Sequence, residues 1–439
     1  MASKIASSQN QVQKARLWQH PDFLKLWTGE TVSLLGSQVT TLALPLTAVI
    51  LLKATPFQMG LLNAAAFAPY LFATLFAGVW IDHKRRRPIL IITNIGRAIL
   101  LGLVPLLAVL GQLRIEYLFL IALSVGILTV FFQLAYEAYL PGLIASDQLV
   151  EGNSKLSLSS SIAELGGPGL AGVLVQAVTA PIAILVDALS FLFSALSLIL
   201  IHKPEASTAS ASKKVQLFTE IGEGFRSTIQ SQYLSAFAGE AATYNLFWEV
   251  IQVVLILYAV RQLHFSSLLI GLIFGIGSLG SLLSAVFTEA LAHRFGVGKT
   301  MIGAQIVSDL ITLLLPLTAS LASTTGSLIC MALAFFFRGV GNTICNVQVN
   351  SVRQVMTPDH LRGRTNAVYR LVVSGVVALG ALSGGVLGQL LGLQLTLWIG
   401  GVGVASSWLW LLFSPLRRLH SLPISEYKSN QERRFASHS

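Results

Sequence analysis

Charged residues are scarce in this chain. Asp, Glu, Lys and Arg make up 11% of its 439 residues, whereas hydrophobic residues make up 54%. A soluble globular domain carries about 25% charged residues, so the composition indicates a protein that crosses a membrane many times. The net charge of +10 arises from basic residues in alternate loops rather than in one patch. This is the positive-inside pattern, and it argues against nucleic acid as a partner.

Cysteine and histidine are also scarce, and their positions exclude several kinds of site. Cys330 and Cys345 fall on one predicted helix, about 22 Å apart at 1.5 Å per residue, which is too far for a disulfide. All eight histidines fall in predicted loops, termini or helix ends, so no pair within the membrane can hold haem. No metal-ligand spacing, ATP-binding loop or cleavable signal pattern occurs. We predict no cofactor, no metal and no enzymatic activity; a membrane-embedded enzyme is the distant alternative.

Long apolar runs, by contrast, are abundant. Twelve of them have the length and composition of transmembrane helices. An even number of spans, with basic residues in alternate loops, places both termini in the cytoplasm. We therefore predict an all-α membrane protein of twelve spans between the cytoplasmic tails 1–24 and 416–439. The predicted spans lie at 25–52, 57–81, 88–110, 115–140, 154–178, 181–202, 233–260, 267–291, 299–320, 326–349, 365–391 and 394–415.

The longest interruption between spans is residues 203–232. It begins with the flexible composition of Ala206–Ser212 and continues with apolar residues at helical spacing from Leu217 to Ile229. This pattern predicts an amphipathic helix on the inner membrane face. Residues 203–232 would then be a cytoplasmic linker between a bundle at 25–202 and a bundle at 233–415.

The two predicted bundles resemble each other in sequence. Met59-Gly60-Leu61-Leu62 reappears 211 residues later as Ile270-Gly271-Leu272-Ile273, and the stretch 141–150 resembles 353–362 at a shift of 212. The two matches lie far apart in the chain and have nearly the same shift, which indicates a duplication. We predict two pseudo-symmetric six-helix bundles, an arrangement known in transporters.

Two motifs resemble those of a known family. The second span ends in Gly78-Val79-Trp80-Ile81-Asp82, and four cations follow within five residues; the fifth span carries Gly167-Pro168-Gly169-Leu170-Ala171-Gly172. With the twelve spans, these motifs resemble the major facilitator superfamily, and within it the drug efflux branch that contains macrolide exporters and the enterobactin exporter.

The resemblance implies a monomeric secondary transporter in the bacterial cytoplasmic membrane. It would export amphipathic small molecules such as drugs, macrolides or siderophores, by proton antiport and alternating access. The expected partners are a small-molecule substrate, protons and the lipid bilayer. An importer or a carrier of lipid-like substrates with the same fold is the alternative.

The first motif is expected to form a gating loop with Gly78, Asp82, Arg86 and Arg87. By resemblance, the Asp82 carboxylate meets the N-terminus of the eleventh span, where the helix dipole favours an anion. Arg86 and Arg87 would pair with acids at neighbouring helix ends, such as Glu137 or Asp147. The alternative is that these cations only fix the topology.

The second motif is expected to act as a hinge and a seal. Gly167 and Gly172 permit close backbone approach between helices, and Pro168 permits a local bend. Ordinary helix packing is the alternative for each glycine.

Polar residues recur at helical spacing on the first, fourth, seventh and tenth spans, which line the central cavity in the resembled fold. Polar groups within the membrane need partners or water, so these faces should point inward. The polar candidates for the cavity are Ser37, Thr41, Gln133, Asn245, Gln252, Arg338, Asn342 and Asn346. Tyr136 and Trp248 are aromatic candidates that would suit a bulky hydrophobic substrate, and contact with lipid or helix packing is the alternative for them.

Four glutamates are candidates for proton or cation coupling. Glu249 lies near the midplane and Glu164 lies about ten residues into its span, with a structural ion pair as the rival role. Glu30 and Glu137 lie nearer the cytoplasmic ends, where contact with headgroup water is the alternative. Arg338 would be a counter-ion or would bind an anionic substrate. A buried carboxylate can exchange protons near neutral pH, as coupling requires.

Overall fold

The computed structural model describes residues 17–82, 84–203, 205, 217–321, 323–357 and 362–420, and regular structure among them is helical, without a β-strand. The helices, in chain order, are α1 (Pro21–Leu46), α2 (Pro56–Asp82), α3 (Arg86–Val109), α4 (Ile115–Leu143), α5 (Leu149–Val178), α6 (Ala180–Ile199), α7 (Leu217–Gln230), α8 (Gln232–Arg261), α9 (Ser267–Phe295), α10 (Val297–Ile311), α11 (Thr324–Met356), α12 (Arg362–Leu391), α13 (Leu393–Val404) and α14 (Trp408–Leu412).

Most of these helices have the length and composition of membrane spans. Eleven helical stretches of the described residues are long and apolar enough to cross a membrane, so the chain is an all-helical, multi-pass membrane protein. The 27-residue α2 is not one of the eleven, and the twelve-span topology and the cytoplasmic termini remain predictions. The helix α7 lies where the sequence predicts the amphipathic linker helix.

Helix ends depart from the predicted spans in two ways. Helix α5 begins at Leu149 rather than 154, and α11 continues to Met356 rather than ending at 349. Hydropathy detects only the part of a helix that lies in hydrocarbon, whereas backbone hydrogen bonding continues the helix into water. The ninth span changes from α-helix to 3₁₀ turns after Ile311, where Pro316 cannot donate the hydrogen bond of a continuing helix.

The twelfth predicted span, 394–415, lies on one apolar stretch, Leu393–Leu412, but its helix is interrupted. Helix α13 ends at Val404, and a turn separates it from the short α14. In this turn the Ser406 hydroxyl donates to the Gly403 carbonyl at 2.6 Å, and the Ser407 hydroxyl donates to Asp309 at 2.6 Å. Serine hydroxyls that bond in this way compete with the helical backbone pattern.

Helices before the linker meet helices after it through two glycine crossings. At the α5–α9 crossing, a Cβ atom built on Gly172 would lie 2.8 Å from the Gly271 Cα, and at the α2–α12 crossing one built on Gly385 would lie 2.9 Å from the Gly60 Cα. Only glycine permits so close a backbone approach. Both crossings lie at the end of the bundle that the charge pattern assigns to the outside, where Arg261 also donates to the Ala54 carbonyl at 2.7 Å.

The opposite end of the bundle is joined differently. There Glu137 of α4 and Arg370 of α12 form an ion pair at 3.5 Å, and their side chains are 59% and 71% exposed. An exposed pair of this kind contributes about 1 kcal/mol or less. The bundle is therefore tightly closed at the predicted outer end and more weakly bridged at the predicted cytoplasmic end.

Candidate functional site

A buried arginine lies at the centre of the helices that precede the linker. Arg97, in the middle of α3, is 4% exposed. Its guanidinium lies between the rings of Phe132 on α4 and Phe191 on α6, at 4.3 and 4.1 Å from their centroids. Two desolvated cation–π contacts can hold a charge that hydrocarbon would otherwise reject.

Two carboxylates act on the charge of Arg97 from a distance. Glu30 on α1 and Asp187 on α6 both interact with it electrostatically, although neither is within the 4 Å of a direct ion pair in the described residues. Its guanidinium instead donates to the Asn94 side-chain oxygen. Asp187 accepts hydrogen bonds from Ser190 at 3.1 Å and from Ser37 at 3.4 Å. Four helices thus contribute to one buried polar cluster, the Arg97 cluster.

Glu30 differs from Asp187 in its partners. Its Oε2 atom is buried and has no hydrogen-bond partner in the described part of the chain, and the same is true of the Arg97 Nε atom and the Tyr136 hydroxyl. Tyr136 stacks on Phe132 with ring centroids 5.7 Å apart. Buried polar atoms without partners are rare in proteins, so this side of the Arg97 cluster can accept a proton, water or a ligand group.

A second polar cluster lies among the helices that follow the linker. Asp309 on α10 is fully buried, and its carboxylate accepts hydrogen bonds from Gln305 at 2.9 Å and from Ser407 at 2.6 Å. Glu240 on α8 and Arg338 on α11 interact with it electrostatically. In this Asp309 cluster, neutral donors rather than a cation hold the central charge.

Arg338 forms its closest contact with an aromatic ring. Its guanidinium lies 3.4 Å from the centroid of Trp248 on α8, and its Nε atom is buried without a partner in the described residues. Trp248 in turn packs edge-on against Phe335 at 6.1 Å, and Phe335 packs against Phe274 at 5.1 Å. Helices α8, α9 and α11 thereby form an aromatic surface that carries one cation.

Glu249 is the most isolated of the buried acids. It lies on α8 and is 8% exposed, and within the described residues it has neither an ion pair nor a hydrogen bond. A Cβ atom built on Gly380 of α12 would lie 3.0 Å from the Glu249 Cβ. One turn away, the Oε1 atom of Gln252 is also buried without a partner. A carboxylate removed from water without a counter-ion is costly to ionise, so such groups pair or take up a proton.

Comparisons with known proteins decide the family. A sequence profile described as transmembrane secretion effector, of the major facilitator superfamily, matches residues 16–436. The chain belongs to this family. A search of curated proteins finds no match.

Solved transporters share the fold. The nucleoside transporter NupG superposes with a TM-score of 0.70 at 14% identity, over 89% of this chain and 99% of NupG. A bacterial homologue of the iron transporter ferroportin in its inward-facing state gives 0.67 at 18% identity, over 89% and 98% of the two chains. In the outward-facing state such a homologue gives 0.56, with the same identity and coverage. The protein is thus a membrane transporter with the major facilitator fold.

The structure of this transporter brings some predicted cavity residues together. Trp248 and Arg338 are in contact, and Asn346 donates to Asn342 at 2.8 Å on the same helix as Arg338. Asn245, in contrast, donates to the Ala241 carbonyl of its own helix at 2.7 Å. Before the linker, Gln133 bonds to Tyr70, and Thr41 donates to the Ser37 carbonyl at 2.9 Å.

The four candidate coupling glutamates separate by burial. Glu30 has a buried, unpartnered oxygen and Glu249 is buried, whereas Glu164 and Glu137 are exposed. Glu164 accepts a hydrogen bond from Ser160 at 3.1 Å. Burial therefore favours Glu30 and Glu249, one on each side of the linker.

The predicted ion-pair partners of Arg86 and Arg87 are not the ones found in this conformation, so that prediction is wrong here. Arg86 and Arg87 do not pair with Glu137 or Asp147: their backbone N–H groups donate to Glu205 at 2.8 and 3.2 Å, and the Arg86 side chain lies 3.6 Å from it. The Arg87 side chain donates to the carbonyls of Leu198 and Ile199, at 3.0 and 2.7 Å. Free N–H groups at a helix start attract an acid, and free carbonyls at a helix end attract a cation. The surroundings of Gly78 and the side chain of Asp82 lie outside what the structure describes.

The helix 5 motif lies between two neighbouring helices. A Cβ atom on Gly167 would lie 2.4 Å from the Gln38 Cβ of α1, while Gly172 forms the crossing with Gly271 of α9. The carbonyl of Pro168 would lie 2.8 Å from a Cβ atom on Gly271. These residues place α5 against both α1 and α9, where a change of crossing angle would be felt on both sides of the linker.

Sequence reasoning missed Arg97. The residue stands within the apolar run 88–110, and an ionisable residue inside a membrane span is a functional candidate by default. That signal was sufficient to select it. Its partners were not visible, because the acids and rings around it come from three other helices.

Proposed function

We propose that this transporter exports amphipathic small molecules, of drug, macrolide or siderophore type, from the bacterial cytoplasm by proton antiport. It would act as a monomer in the cytoplasmic membrane, with both termini inside. The observation that carries the proposal is the pairing of an aromatic surface bearing Arg338 with the isolated, buried Glu249 on the same helix as Trp248. The aromatic surface with its cation suits an amphipathic substrate, and the isolated carboxylate of Glu249 suits a proton.

The conformation supports the loading of substrate from the cytoplasmic side, as an exporter requires. The Gly60–Gly385 and Gly172–Gly271 crossings close the predicted outer end. The TM-score against a ferroportin homologue is higher for the inward-facing state than for the outward-facing one, 0.67 against 0.56. An exporter must reach such an inward-facing state to load its substrate, and the family description as a secretion effector agrees with this direction.

The aromatic surface supports a bulky substrate with an apolar face. Tyr244 stacks on Trp248 at 6.4 Å, which extends the ring surface along α8. Because Arg338 has no acid within ion-pair distance among the described residues, an anionic group on the substrate would be its partner. Aromatic walls with a few fixed polar groups are typical of ligand pockets.

Coupling is assigned to Glu30 and Glu249. Protonation of either removes a buried negative charge, and substrate binding beside Arg338 changes the field in the same interior. A membrane potential of 100 mV contributes about 2.3 kcal/mol for each charge moved, which is enough to concentrate a solute outward.

The test uses proteoliposomes loaded with a pH-sensitive dye and supplied with erythromycin, ethidium or a catecholate siderophore. We expect the wild type to move protons against at least one compound. Glu249→Gln should abolish this movement and Glu30→Gln should reduce it at least tenfold, whereas the exposed Glu137→Gln should retain more than half. Proton movement by Glu249→Gln at the wild-type rate would refute the coupling role, and transport with an unchanged rate in the absence of a proton gradient would refute antiport.

A further inference from the structure

A large groove of the described residues lies outside both polar clusters. It has a volume of about 920 Å³ and lies between the first half of α8 and the segment that runs from the turn at Ser406 through α14 to Arg418. This α8–α14 groove exists because the twelfth span breaks at Ala405–Ser407 and because the facing residues of α8 are small, including Ser235 and Ala236.

The walls of the groove are held by specific contacts. The Trp410 indole lies over Gly239, where an added Cβ atom would lie 2.5 Å from its ring, and its Nε1 donates to the Thr243 hydroxyl at 3.0 Å. At the base of the break, Ser407 donates to the buried Asp309. Phe413, 80% exposed, forms the outer rim. These contacts therefore fix the depth of the groove, and its Trp410 and Phe413 side is apolar.

The length of the groove matches one leaflet of a bilayer. On α8 it extends from Gln232, the first residue of the helix, to Thr243, a rise of about 16 Å at 1.5 Å per residue. Half of a hydrocarbon core of about 30 Å is nearly the same distance. In the proposed topology, Gln232 is at the cytoplasmic surface and Thr243 is near the midplane.

The shallow end of the groove is positively charged. Arg417 and Arg418 line it, both are exposed, and neither forms an ion pair in the described residues. Basic residues at this depth attract anionic headgroups. Two of them together raise the affinity for such a headgroup roughly tenfold or more. The apolar wall below them, with Trp410 and Phe413, suits acyl chains.

We propose that the α8–α14 groove binds one anionic phospholipid of the cytoplasmic leaflet. The headgroup phosphate lies at Arg417 and Arg418, and an acyl chain lies along Trp410 toward Thr243. The bound lipid fills the space left by the broken twelfth span and thereby ties α14 to α8. The proposal depends on the proposed topology but not on the transported substrate or on the coupling ion.

The test counts retained lipid by native mass spectrometry. The transporter is reconstituted in vesicles with equal amounts of dioleoyl phosphatidylglycerol and dioleoyl phosphatidylcholine and is then extracted. We expect one phosphatidylglycerol to remain on the wild type, and the Arg417→Gln/Arg418→Gln variant to retain it about tenfold less well. The control Lys84→Gln/Arg294→Gln, which removes two exposed cations at the same predicted face, should behave as the wild type.

A second variant addresses the cavity itself. Ser235→Phe fills the groove and leaves both arginines in place, so it should also lose the phosphatidylglycerol. Added glycerol phosphate should not compete, because the headgroup alone lacks the chains. Equal retention of both lipids by the wild type, or full retention by either groove variant, would overturn the proposal; so would an equal loss in the control variant. None of these outcomes depends on transport, so they remain separable from failure of the proposed export function.

Discussion

The helices before the linker and those after it close the molecule in the same way but hold their buried charges differently. The closing contacts are equivalent, since Gly60 and Gly271 stand at matched positions 211 residues apart and each crosses a glycine of the other set. The charge clusters are not equivalent. In the first set a cation, Arg97, is central and lies between rings and acids. In the second set an acid, Asp309, is central and neutral groups hold it.

This difference indicates a division of labour between the two sets. Arg97 interacts electrostatically with two acids of its own four helices and lies between two rings, whereas Arg338 interacts with one acid, Asp309, and Glu249 has no charged partner in the described residues. A group with no fixed partner is available to a ligand or a proton. We therefore expect Arg97 and Asp187 of the first set to serve stability, whereas Arg338 and Glu249 of the second set, together with the unpartnered Glu30 of the first, serve function.

The largest expected effect tests this division directly. Arg97→Leu leaves Glu30 and Asp187 buried without a cation, and breaking a buried charge arrangement costs about 3–5 kcal/mol. Arg338→Leu removes mainly one cation–π contact, worth about 1–2 kcal/mol. Thermal unfolding in detergent should show a much larger loss of stability for Arg97→Leu. Equal losses for the two variants would remove the distinction between the clusters.

A smaller effect is expected where the two sets are alike. Gly172→Val places side-chain atoms against Gly271, and overpacking costs about 1–3 kcal/mol, which should open the predicted outer end. Gly166→Val is the matched control, because no atom lies within 4 Å of a Cβ atom there.

The measurement is the distance between spin labels at Gln112 and Ser323, in loops at that end, in a background lacking Cys330 and Cys345. The distance should lengthen in Gly172→Val and not in Gly166→Val. An unchanged distribution in both variants would show that the crossing does not control closure.

The smallest effect concerns one turn that the two sets build with different residues. The α5–α6 turn places Thr179 at a φ of +91°, whereas the corresponding α12–α13 turn places Gly392 at +85°. A β-branched residue in this region is strained by about 1 kcal/mol or more, and glycine is not.

Thr179→Gly should therefore raise the free energy of unfolding by about 1 kcal/mol, and Gly392→Thr should lower it by a similar amount. Reversible unfolding in mixed micelles measures both. A loss of stability in Thr179→Gly would mean that its side chain has a role that outweighs the strain.

Part of the architecture and part of the site were predictable. The apolar runs located the helices to within a few residues at most ends. The polar stripes contained Arg338 and Glu249, and Trp248 was among the aromatic candidates. The break in the twelfth span was not predictable from hydropathy, because Ser407 leaves the helix to bond Asp309, nearly a hundred residues away. The partner of Arg86 was missed for the same reason, since Glu205 belongs to the linker.

The sequence by itself determined that the chain crosses the membrane many times, because hydrocarbon accepts only long apolar helices and the charge pattern of the loops predicts their direction. It also placed ionisable residues such as Arg97, Glu249 and Arg338 within apolar runs, although Arg97 was not selected from that signal. Only the tertiary structure decided which of them are neutralised and which remain unpaired. That outcome depends on distances of a few ångströms between side chains of different helices, and no one-dimensional pattern encodes those distances.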